Sequence, residues 1–498
     1  MNMKQKWILL LLSAWFFTFS GCGRKAAREE TIMPAEEGGI AVSMPEVTWS
    51  KSVALETAPG LSQRDLQATE AFQHILGSEM GKDTQVKVFR NPAQGETPEH
   101  RIKGKVIQDE GTCRYKYRIE NQKGEPSGGG VLVGSDSSFF LLAGQAARQV
   151  SQSLSVQSVP DRNWMTARRP DLLDSYLESR RLISETSYEA ANRAVAGFKS
   201  LLRQDSTFLP AHAGLAEAYL QITENGWNRN SIWMELARLS CIKALSIDPD
   251  FADAHMMQGR VRLMQGEWKN AEQDLRRALA LNSSLPGAWT GLGSVLAHYG
   301  LYEPALEALN RGLSLDEENL AAGRSRAMIL VGLGNYPEAE KSLRRLLALF
   351  PQALNLHSFL ALTLFYRSNL NAAEREIQAG LDDPDFRAFS HAVYGMILAG
   401  QDRQDEALSE LLEATTGAQG NPSLNVAIAA VHALLGRKGE SVAWLEKAVD
   451  GGYMEYLWIY RDPNFKNLSD DGRFQSILER LKARWEERKK SYSQLRPA

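Results

Sequence analysis

The chain has 498 residues, 43% of them hydrophobic and 23% charged, an ordinary globular balance that excludes collagen-like, mucin-like and disordered acidic chains. Lysine and arginine number 57 against 60 aspartates and glutamates, so the net charge of -3 gives none of the basic excess typical of nucleic-acid binders. Three cysteines are too few for a disulfide framework.

The first residues read as an address. Lys4 and Lys6 precede an apolar run over 7–19, shorter than a membrane span but suited to the core of a signal peptide. The run ends in Phe19-Ser20-Gly21-Cys22. Residues 24–44 have no hydrophobic period and hold Glu29, Glu30, Pro34, Glu36, Glu37, Gly38 and Gly39, the composition of a flexible tether. The Ser20-Gly21-Cys22 run resembles the bacterial lipoprotein box, with Phe19 where that family usually has leucine. The resemblance implies a signal peptide over 1–21, a diacylglycerol on Cys22 and a tether over 22–44. With Gly23 after the cysteine, it also implies the outer membrane, facing the periplasm.

Residues 45–158 change texture. The spacing of Leu66, Phe72, Ile75 and Leu76 predicts a helix over 63–80. Alternation predicts strands over 85–89, 101–107, 113–120 and 131–133, with Gly128 to Gly130 as a turn before the last, and then a helix over 139–156. The run Arg101-Ile102-Lys103-Gly104-Lys105-Val106, the hairpin through Tyr117-Arg118-Ile119 and the helix with Ala146, Ala147, Val150 and Leu154 resemble the TolB N-terminal-like domain. That resemblance implies a small α/β partner-binding module without catalytic residues.

From residue 173 the chain repeats. Ala194, Ala237, Ala271, Ala305, Ala339, Ala373, Ala407 and Ser441 are separated by one step of 43 residues and then six of 34, the extra nine lying in a loop near 222–230. Upstream of these come small residues (Ala216, Gly259, Gly293, Ala327, Ala361, Gly395, Ala429) and, closer, the glycines Gly266, Gly300, Gly334 and Gly436. Large apolar residues follow, from Phe198 and Cys241 to Leu445. A fixed period of this length predicts stacked pairs of antiparallel helices, with small residues at the closest approach and glycine ending the first helix of each pair. Asp248-Pro249 and Phe350-Pro351 end second helices. Trp289-Thr290-Gly291-Leu292-Gly293, then Ala305 and Leu309, resemble the tetratricopeptide repeat, which implies eight repeats over 173–455. The expected fold class is therefore α+β overall, an all-α superhelical solenoid preceded by a small α/β domain. Residues 456–498, with Asp462-Pro463-Asn464-Phe465, read as a segment capping the last apolar surface.

No phosphate-binding loop, zinc-protease, nucleophile-elbow or Cys-x-x-Cys signature occurs, so no catalytic residue, cofactor or metal is expected. His212, His255, His357 and His391 share one repeat position. Zinc ligands lie about 2 Å from their ion while neighbouring helices are roughly 8–10 Å apart, so these rings read as packing groups. In the family the first helices line a concave groove. Here Met256, Arg260, Arg324, Met328, Phe365, Phe389 and Met396 fall on that lining, which suggests an apolar partner segment anchored by the arginines. The function expected is a non-enzymatic, lipid-anchored envelope adaptor that binds a protein or peptide and no nucleic acid. The alternatives are an assembly factor of a secretion, pilus or outer-membrane machine, and a ligand sensor or enzyme using 45–158.

Overall fold

The structure, a computed structural model, describes residues 51–57, 69, 72, 76, 80, 86–89, 98–109, 112–135, 139–154, 171–185, 187–224, 230–418 and 421–494. The signal-peptide reading, Cys22 and the tether lie outside the described residues.

The alternating segments form one five-stranded sheet: β1 (Lys51–Thr57), β2 (Val86–Phe89), β3 (His100–Asp109), β4 (Thr112–Asn121) and β5 (Pro126–Ser135), in the order β2-β1-β3-β4-β5. β1 pairs in parallel with β2 and β3, while β3-β4-β5 is an antiparallel meander. Strict alternation puts Cys113, Tyr115, Tyr117 and Ile119 on the buried face. There they meet Phe72, Leu76 and Met80 and the helix Phe139–Ser153, whose Ala143, Ala146, Ala147 and Val150 are buried. Gly104 is required where Tyr115 stacks on Phe72, because a Cβ there would lie 2.4 Å from the Tyr115 hydroxyl oxygen. The expected turn at Gly128 to Gly130 is corrected: these glycines are inside β5, opposite Ile119, Arg118 and Tyr117. A side chain at Gly130 would press on the Tyr117 ring, so glycine here makes room for packing. The reversal falls earlier, where Gly124 takes a φ of 79°.

The 34-residue period becomes eight antiparallel helix pairs, from Asp171–Ser184 with Tyr188–Gln204 to Pro422–Leu434 with Lys438–Asp450. The aligned alanines are fully buried, and Ser441, which replaces alanine in the eighth pair, satisfies its hydroxyl on the Ala429 carbonyl at 2.7 Å. Where the helices of a pair meet, glycine is needed for space. A Cβ on Gly293 would lie 2.6 Å from Leu309 Cγ, and one on Gly259 would lie 2.7 Å from Leu275 Cγ. Gly266, Gly300, Gly334 and Gly436 end their first helices at φ of 70° to 79°. Ser368 and Asp402, which fill the same repeat position, are held at φ of 58° and 63°. They are strained stand-ins for glycine.

Beyond the eighth pair come a short helix (Tyr456–Arg461), a 3-10 turn (Pro463–Leu468) and a long helix (Gly472–Gln494). The long helix starts against Lys438–Asp450 as a cap would, with Arg480 on Asp450 at 2.7 Å. It does not stop there. Its second half reaches the third pair, where Arg276 lies over the Tyr492 ring at 5.6 Å, and the fourth, where Trp485 Nε1 donates to the Gly300 carbonyl oxygen at 3.0 Å and Arg488 lies over Tyr299 at 4.5 Å. No helix among the described residues is long and apolar enough to cross a membrane.

Candidate functional site: the inner face of the helix pairs

The first helix of each pair packs on the first helix of the next, so residues repeating every 34 positions line a common face. The expected docking residues sit on these helices, but they do not form an open surface. Met256, Arg324, Met328, Phe365, Phe389 and Met396 are all buried. Arg260 is three-quarters covered and bound to Glu224 at 2.6 Å. Burial opposes its charge, and Glu224 and Glu217 more than offset that, so its pKa lies above the ordinary value. Arg180 makes the same kind of pair with Glu217, one first helix to the next, at 2.5 Å. Arg324 lies 5.9 Å over the Phe359 ring, and burial pulls its guanidinium down to about 10. Both expected anchor arginines are thus engaged within the chain.

Residues 453–463 lie against two of the expected docking residues, Phe389 and Met396. Tyr453, Trp458 and Asp462 close a crevice lined by Leu362, Phe389, Met396, Val426 and Ala430. A second cavity of about 130 Å³ is bounded by Val331, Tyr336 and Tyr366 on the helix pairs and by Trp458, Arg461 and Pro463. Two buried carboxylates fix this segment. Tyr302 donates to Glu455 Oε2 at 2.8 Å and Tyr366 donates to Asp462 Oδ2 at 2.9 Å. Burial dominates both acids: the Glu455 carboxyl is pushed up to about 8 and that of Asp462 to about 6, despite the hydrogen bonds that favour their ionised forms. The sequence gives no hint of these contacts, which join residues 153 and 96 positions apart.

The aligned histidines resolve into a packing role. Trp289 Nε1 donates to the Ser283 carbonyl at 2.7 Å, six residues back, and the Nε2 atoms of His212 and His255 reach the equivalent carbonyls of Ser206 and Pro249 at 3.0 and 2.9 Å. Histidine here does the work of the tryptophan N–H. In later pairs the ring turns to the second helix, His357 to Glu376 at 2.8 Å and His391 to Glu410 at 2.5 Å. Among the described residues, no group of three histidine, cysteine or acidic side chains has metal-binding geometry. Cys113 and Cys241 are buried apart in the two domains, and burial pushes the Cys241 thiol up to about 12.

The tetratricopeptide-repeat family model matches residues 242–286, 256–319 and 324–391, the central helix pairs of the stack. The chain is similar to that family over residues 242–319 and 324–391. The helix pairs on either side keep the same register and geometry, so the fold is a tetratricopeptide solenoid preceded by a small sheet domain. Among solved structures, the chain is similar to pilF of Pseudomonas aeruginosa, at 22% identity over 42% of this chain and 91% of that one, with a TM-score of 0.35. It is also similar to a tetratricopeptide repeat protein from Parabacteroides merdae, at 18% identity over 51% and 98% of the two chains, with a TM-score of 0.36. No curated protein matches the chain. Residues 453–463 occupy part of the inner face of this solenoid.

Proposed function

We propose that the chain is a non-enzymatic envelope adaptor, held to the outer membrane through lipidated Cys22 and facing the periplasm, whose tetratricopeptide solenoid docks a protein partner. The observation that carries the reading is that the solenoid's inner face seats a polypeptide segment, the chain's own residues 453–463, through tyrosine–carboxylate pairs and an inserted tryptophan. A partner segment with apolar and acidic residues takes the same seat. The domain over 45–158, which resembles the TolB N-terminal-like domain, sits between anchor and solenoid. The lipobox sequence around Cys22 supports the anchor.

Photocrosslinking in cells tests the docking reading. A crosslinker at Ser423, which borders the crevice, is expected to give a partner adduct, while one at Leu412, which is 66% exposed on a second helix, gives none. Adducts from Leu412 alone would reject the inner face as the docking site. Fatty-acid labelling of wild type against Cys22→Ala tests the anchor separately.

A further inference from the structure

The β3-β4-β5 meander has one face covered by helix and one face open, and the open face is basic. Arg101, Lys103 and Lys105 of β3 and Arg114, Lys116 and Arg118 of β4 share it by the pleat. The pairing register sets Lys103 directly opposite Arg118 and Lys105 directly opposite Lys116. Like charges in direct opposition destabilise an antiparallel ladder, and here two such pairs follow one another. Glu120 offsets part of this, binding Lys103 at 2.9 Å and approaching Arg118 at 3.8 Å. Lys105, Arg114 and Lys116 have no acidic partner within 4.0 Å among the described residues. Beside them on β5, Val131 and Val133 pair with Lys116 and Arg114 and are 57% and 60% exposed.

We propose that this face docks onto an anionic phospholipid surface, its cations meeting headgroup phosphates and Val131 and Val133 entering the interface. The inference rests on the membrane-anchored reading, because a tether from Cys22 to β1 would keep the sheet beside the bilayer. Charge complementarity calls for an anion, and the side chains next to the cations choose among anions. The aromatic side chains of β4, Tyr115 and Tyr117, point to the buried face, so among the described residues the open face carries no stacking platform for nucleic-acid bases. Two exposed valines among lysines and arginines are the combination that favours a membrane interface.

The test is vesicle co-sedimentation of the full chain carrying Cys22→Ser, so that no acyl chain contributes. Vesicles of phosphatidylcholine containing phosphatidylglycerol are compared with phosphatidylcholine alone, which reports any background from residues 7–19. Binding is expected to favour the anionic vesicles, to weaken with salt, and to fall roughly tenfold or more in Lys105→Gln/Lys116→Gln. The same double variant is expected to melt at a higher temperature than its parent, since it relieves an opposed pair; an unfolded variant would reveal itself by the opposite shift. Val131→Ser/Val133→Ser is expected to reduce anionic binding without changing its salt dependence. Equal binding to both vesicle types, unchanged binding of the glutamine variant, or preferential binding to DNA or to an acidic peptide would overturn the proposal. Failure of fatty-acid labelling at Cys22 would reject the anchor and leave this result readable by itself.

Discussion

Trp485 and Gly300 are 185 residues apart in sequence, yet the indole Nε1 donates to the Gly300 carbonyl at 3.0 Å. Gly300 ends the first helix of the fourth pair at a φ of 70°, which turns its carbonyl out of the helix ladder and leaves it needing a donor. The contact joins the far end of the chain to the middle of the solenoid. With Glu455 on Tyr302 and Asp462 on Tyr366, it makes residues 453–494 a strap rather than a simple cap.

Removing a strap donor is expected to loosen it. In Tyr302→Phe the Glu455 carboxyl loses its hydrogen-bond partner while the ring packing stays, a change of about 1–3 kcal/mol in strap closure. Hydrogen exchange checks this: amides over 456–494 are expected to exchange faster, with those of the second to fourth helix pairs unchanged.

The strap should also respond to pH. Glu455 has a folded pKa near 8 against an ordinary 4.5, and Asp462 near 6 against 3.8, so the closed state binds protons more tightly than the open one. Their contribution is full below the ordinary values and is lost as pH rises through about 6 and then about 8. Limited proteolysis within 453–472 is expected to accelerate between neutral and mildly alkaline pH. Glu455→Gln should flatten the upper part of that rise, and a rise unchanged by this variant would count against Glu455 as its source.

Ser368 and Asp402 occupy the repeat position where Gly266, Gly300, Gly334 and Gly436 stand, and both have positive φ. Each substitution Ser368→Gly and Asp402→Gly is expected to stabilise the solenoid by roughly 0.5–1 kcal/mol, because glycine removes the left-handed strain. Denaturant midpoints measure it, and a drop in midpoint for both variants would show that the strain is offset by contacts of the side chains.

Gly293→Ala should do the reverse. The added methyl would sit 2.6 Å from Leu309 Cγ and 3.2 Å from the Ala305 carbonyl, so the fourth helix pair must spread. Overpacking of this kind costs about 1–3 kcal/mol, and calorimetry is expected to show a lower melting temperature.

Much of this was legible beforehand because it is local or periodic. The 34-residue step placed all eight helix pairs, and alternation placed β3 and β4 within a residue or two. The strained turns at Ser368 and Asp402 were hidden because neither residue type announces a left-handed backbone. The open basic face was hidden by a net charge of -3, which averages over the whole chain what strand pairing concentrates on one side. The expected groove residues were placed on the right helices, but periodicity says which face a residue occupies and nothing of what lies against it. Phe389 and Met396 are buried beside Tyr453, Trp458 and Asp462, which are far away in sequence.

The most direct test of the strapped solenoid places a photocrosslinking amino acid at position 485 in the full chain and maps the adduct by mass spectrometry. Crosslinks are expected to residues 299–301, at the turn of the fourth helix pair. Adducts confined to residues 438–450, the surface a terminal cap would cover, would contradict it.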